Sequence, residues 1–210
     1  MNTRYLLVLL AATCAAPTGA AAQGATAGPA RSEAPVRFGV ADRFSVELAA
    51  EANVPTHDLG PSDLGTGVGL ELVAGYRFMP HLSAYAGWGW RRFEADGFLA
   101  GSDVDAEETG YTFGLRFAHP LGSTPLGYFV EAGGLYDHVE FEERGDVVMD
   151  TGHGLGWQVG AGLVVPLGSR WLLVPGVRYH SLSRDLSVAG ERVDLQLSYV
   201  TARAGIARTF

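Results

Sequence analysis

The stretch Gly69-Leu70-Glu71-Leu72-Val73-Ala74-Gly75-Tyr76-Arg77-Phe78-Met79-Pro80-His81 decides the fold. Leu70, Leu72, Ala74, Tyr76 and Phe78 recur at every second position. Gly69, Glu71, Val73, Gly75 and Arg77 fall between them. Successive side chains of a strand point to opposite faces, so a period of two marks an amphipathic strand. Met79-Pro80-His81 then closes the run as a tight turn. A second run has the same form, with Leu155, Trp157, Val159, Ala161, Leu163 and Val165 opposing Gly156, Gln158, Gly160 and Gly162.

Working outward, the same spacing places strands near 42–52, 82–93, 109–118, 126–139, 171–183 and 195–210, which makes eight. The connections alternate in length. Long polar segments are expected at Asn53 to Gly65, Glu94 to Glu107, Glu140 to Thr151 and Arg184 to Asp194. Short turns are expected at 79–81, 119–125 and 166–170. Long loops at one end and short turns at the other suit an all-β, eight-stranded antiparallel up-and-down transmembrane β-barrel. Pro175 inside the seventh run removes a ladder donor, so a bulge is expected there.

A soluble β-sandwich also alternates, and three features argue against it. The polar face is mostly Gly with a few Arg and Glu, where a solvated sheet would carry Thr, Ser and Lys. The aromatics of the apolar face sort to two heights. Trp88, Trp90, Tyr111, Tyr136, Trp157 and Tyr179 fall near the long-loop rim. Phe44, Tyr76, Phe78, Phe117, Tyr128, Trp171 and Phe210 fall near the short-turn rim. Two such girdles suit a membrane with two interfaces. Finally, the chain ends on an aromatic: Val200, Ala202, Ala204, Ile206, Arg208 and Phe210 share one face of the last run.

Composition fits this reading. The 210 residues are 47% hydrophobic and 18% charged, with 29 Gly and a net charge of -8, which excludes nucleic acid as a partner. All 15 basic residues are Arg. Residues 1–22 read as a secretory signal, with Arg4, a short apolar core, and Ala20 and Ala22 before a cleavage near Gln23. The only Cys, Cys14, lies within it, and Ala11-Ala12-Thr13 makes a poor lipobox. Residues 23–41 read as a flexible periplasmic leader and 42–210 as the barrel domain.

The stretch from Gly75 to Gly87, the run Trp171 to Tyr179, Arg203-Ala204-Gly205 and the terminal Phe210 together resemble the OmpA-like family of outer-membrane β-barrel (porin-family) proteins. The resemblance covers residues from about 40 to the end. It implies residence in the cell outer membrane and contact with its lipids. It also implies that Phe210 is an assembly signal read by the barrel assembly machinery. Arg208 departs from the family pattern, which has an aromatic two residues before the last.

Candidate functional residues lie on the inward face: Glu47, Glu51, Glu71, Arg77, Arg91, Arg116, Glu131, Arg178, His180 and Arg203. Eight strands leave a lumen that side chains fill, so these charges are read as a paired network plugging the barrel. Arg116 with Glu131, and Glu47 with Arg203, are expected pairs. The resulting reading is a structural or loop-mediated interaction barrel, without catalysis or cofactor, whose acidic loops face an extracellular partner. The alternatives are a lipid-directed enzyme like the lipid A deacylases, or a narrow small-solute channel. Against the enzyme, residue 182 is Leu where that chemistry needs Ser, and Ser181 and Ser183 face away from His180. The remaining histidines are scattered, and no spacing among them suggests a metal.

Overall fold

In a computed structural model of the chain, the described residues are 42–56, 63–96, 104–143, 146–188 and 191–210. The expected signal peptide and leader lie outside them. The strands are β1 (Phe44–Pro55), β2 (Asp63–Met79), β3 (Leu82–Asp96), β4 (Val104–Pro120), β5 (Gly127–Glu143), β6 (Asp146–Asp150), β7 (Gly154–Pro166), β8 (Trp171–Val188) and β9 (Glu191–Thr209). All pairings are antiparallel, and β9 pairs with β1 to close the sheet. Eight strands form the barrel wall. The short β6 pairs only with the far end of β5.

Register fixes the barrel's dimensions. Side-by-side partners lead from Phe44 through Tyr76, Ala84, Leu115, Ala132, Val159, Tyr179 and Val200. They return to β1 at Val54, ten residues beyond the start. With ordinary strand spacings, that offset over eight strands means a tilt of about 41° and a radius of about 8 Å. Side chains from opposite walls therefore meet in the lumen.

The strands run further than the sequence patterns suggested. Three of the four long connections are much shorter than expected, because β1 continues to Pro55, β3 to Asp96 and β8 to Val188, with their partners extended to match. The expected loop at Glu140 to Thr151 contains β6. These polar segments are strand extensions projecting beyond the apolar band. The bulge expected at Pro175 is also absent. Gly162 faces Gly176 and Val165 faces Leu173 in one unbroken register. The ladder to β7 merely lapses between them, while Pro175 still lies opposite Ala204 of β9. Losing one donor cost a hydrogen bond but did not shift the strand.

The outer surface is apolar: Leu48, Val68, Leu70, Leu72, Val130, Leu163, Val177 and Ile206 are all exposed. Trp88, Tyr111 and Tyr136 lie side by side in one row on β3, β4 and β5, at the base of the extensions. At the turn end Phe44 packs on Tyr76 with ring centroids 4.9 Å apart. The Phe210 amide donates to the Phe44 carbonyl at 2.9 Å, joining the barrel's last residue to its first strand. Arg208 points out at the same rim, its guanidinium 5.5 Å from the Trp171 ring and 5.1 Å from the Phe210 ring. Both contacts are within cation–π range.

Candidate functional site

The inward positions of six strands meet in a closed ring of alternating charge. Glu71 of β2 accepts from Arg178 of β8 at 2.8 Å. Arg178 donates to Glu131 of β5 at 2.9 Å, and Glu131 accepts from Arg116 of β4 at 2.8 Å. Arg116 donates to Glu47 of β1 at 2.9 Å. Glu47 pairs with Arg203 of β9 at 2.8 Å, and Arg203 returns to Glu71 at 3.0 Å. Three guanidiniums and three carboxylates thus form a neutral cycle. The planar fork of Arg suits this geometry, since each can serve two carboxylates. The Thr112 hydroxyl adds a bond to Glu71 at 2.9 Å.

A second group lies towards the tip end. Arg91 donates to Glu51 at 2.8 Å and to Glu108 at 3.2 Å, and stands 3.9 Å from Glu71. The Tyr199 hydroxyl donates to Glu108 at 2.8 Å. Asp137 comes within 4.0 Å of Arg91. Glu108 and Asp137 are additions to the expected network. Both are fully buried in the lumen: Glu108 because β4 begins before the expected strand start, and Asp137 because it holds an inward position of β5. Arg77 lies at the turn-end mouth and donates to the Asp42 carbonyl.

Apolar clusters flank the network on both sides, the turn-end one lining a cavity that reaches Glu47 and Arg116, and these the sequence reading missed. Phe93, Leu135, Phe141, Leu182, Leu197 and Tyr199 form one cluster at the tip end. Phe129, Val164, Val174 and Ala207 form the other at the turn end. The Arg116 guanidinium sits 4.6 Å from the centre of the Phe129 ring. All these residues occupy inward positions of their strands, so the alternation itself carried the signal. The lumen glycines make room for the charges. A Cβ on Gly89 would lie 3.0 Å from Nη1 of Arg91, and one on Gly160 would lie 3.1 Å from Oε1 of Glu131.

His180 is fully buried and stacks on Tyr199 at 4.6 Å between centroids. Neither of its ring nitrogens has a hydrogen-bond partner among the described residues. Ser181 instead accepts from Ser198 at 3.2 Å, so no serine–histidine pair forms here. The outer surface holds a different surprise. His138 and His153, which the sequence reading treated as scattered, are in contact: Nδ1 of His138 lies 3.2 Å from Nε2 of His153. Among the described residues no group of three or more His, Cys, Asp or Glu is arranged to hold a metal by itself.

A closed, outwardly apolar barrel with a filled lumen now has a family. The model of the outer membrane protein β-barrel domain matches residues 6–210. The chain belongs to the outer-membrane β-barrel proteins. Its place is the cell outer membrane. Solved structures agree on the fold. Neisserial surface protein A is similar at 14% identity and a TM-score of 0.57, covering 80% of this chain and 97% of that one. OprG from Pseudomonas aeruginosa gives 15% and 0.55, covering 80% and 96%. The outer membrane protein W of E. coli gives 14% and 0.55, covering 80% and 98%. No curated protein sequence matches.

Proposed function

We propose that this outer-membrane barrel is a non-catalytic structural and interaction protein that conducts no solute and acts through its exposed strand extensions. The supporting observation is the lumen: a neutral ring of ion pairs lies between two apolar layers, in a barrel only about 8 Å in radius. A path for water or ions would have to open the paired ring, leaving charges unpaired in a low-dielectric interior. The acidic extensions then carry recognition of an extracellular partner. On the outside of β3 and β4, Arg92 pairs with Asp105 and Glu107, and the Trp90 indole donates to Glu107 at 3.1 Å. That stiffens the extensions as a platform. Membrane lipids cover the apolar band, and Phe210 presents the chain to the assembly machinery.

Planar-bilayer recording on refolded protein tests the reading. No current steps above the bare-bilayer baseline are expected. Reproducible unit conductance from protein of confirmed fold would overturn it in favour of a narrow channel.

A further inference from the structure

We infer that His138 and His153 form a two-histidine site for a divalent ion of the copper–zinc class on the outer surface, one pleat beyond the Tyr136 belt. The nitrogens are already at ligand spacing. Bonds of 2.0–2.1 Å to a tetrahedral ion put neighbouring ligands about 3.3 Å apart. A tetragonal ion puts cis ligands about 2.9 Å apart. The observed separation of 3.2 Å lies between the two.

The tautomers also fit. Nε2 of His138 lies 3.2 Å from Oε1 of Glu140, a carboxylate that accepts the Nε2 proton and turns the Nδ1 lone pair towards His153. A carboxylate holding the far nitrogen is the usual partner of a metal-bound histidine; it fixes the ring and raises its basicity. Without metal, His153 donates its Nε2 proton to His138. With metal, that proton resides on Nδ1 of His153 and both lone pairs face the ion. Water completes the coordination.

The backbone holds the two rings together. Thr151 is bound to Val139 in both directions: its amide donates to the Val139 carbonyl at 3.0 Å, and its hydroxyl accepts from the Val139 amide at 3.0 Å. Gly152 follows at φ +67°, a left-handed turn that glycine adopts without strain, and its amide donates to Asp150 at 2.7 Å. That turn sets His153 against Tyr136, with ring centroids 5.2 Å apart.

The test uses the full barrel refolded in detergent micelles and titrated with Cu²⁺, followed by calorimetry and by electron spin-echo modulation for coupled imidazole nitrogens. One tight equivalent with two imidazoles is expected. His138→Gln with His153→Gln should weaken binding at least tenfold and abolish the imidazole signal. His81→Gln with His119→Gln, a second histidine pair at the turn end whose centroids are 4.7 Å apart, should leave both readouts intact. Glu140→Gln should keep both imidazoles while weakening binding about tenfold. Heat-modifiable migration of each variant confirms the fold. Unchanged binding in the His138 and His153 double variant, a one-imidazole signal, or no binding by the parent would each overturn the site.

Discussion

Glu131→Ala opens the charge ring at one point, and its cost can be worked from the contacts. Glu131 accepts from Arg116 at 2.8 Å and from Arg178 at 2.9 Å, and it stands 3.9 Å from Arg203. Without it, three guanidiniums share two carboxylates. Arg116 keeps only Glu47 and Arg178 keeps only Glu71. Arg178 and Arg203 are fully buried, so water does not compensate there; Arg116 faces the cavity at the turn-end mouth and is partly hydrated. Removing one partner from a buried pair costs about 3–5 kcal/mol. Adding Arg116→Ala restores neutrality, with Arg178 and Arg203 against Glu47 and Glu71. The double variant should therefore be more stable than the sum of the single effects by about 0.5–3 kcal/mol. Urea unfolding in lipid vesicles, followed by tryptophan fluorescence, measures all four corners of the cycle. Strict additivity, or an unchanged midpoint for Glu131→Ala, would refute the ring as a coupled unit.

Two further perturbations probe the space around the network and the end of the chain. Gly89→Val sets a branched side chain against the Arg91 guanidinium and should cost about 1–3 kcal/mol by overpacking, read as a lowered unfolding midpoint. Deleting Phe210 should sharply reduce the amount of barrel in the membrane of cells while refolding in micelles proceeds. Normal yield in cells would remove the assembly role, and failed refolding would make the residue structural instead.

The alternation of Leu70 to Phe78 gave the strands, and the glycine-rich inner face, the two aromatic heights and the terminal Phe210 made them a barrel, because a membrane sheet has one lipid face and one lumen face throughout. The reading weakened where that contrast fades. Beyond the apolar band the outward face turns polar, so the Glu94 to Glu107 stretch looks like a loop although β3 and β4 stay paired as far as Ala95 and Val104. Glu108, next to that stretch, was left out of the expected network for the same reason, yet it lies directly opposite Arg91 in the register and shares its face. Phe93, Phe129 and Tyr199 were legible by parity alone; the assumption that a lumen is polar hid them. The contact between His138 and His153 was beyond any local pattern. It depends on Asp137 pairing with Gly154, which brings the residues beside them face to face.

Closure between the first and last strands has a consequence for how the molecule comes into being. Thr201 donates to Asn53 at 2.7 Å across 148 residues of chain, and the Glu47–Arg203 pair spans a similar distance. Neither contact exists until the last strand has been delivered. Half of the ring's carboxylates and guanidiniums have partners only on strands far away in the order of synthesis. Partial chains thus expose an apolar face and unpaired charges together, a combination prone to aggregation. The barrel gains its stability in one late step, and a chain cut short by even its final strand would retain most of its residues but little of that stability.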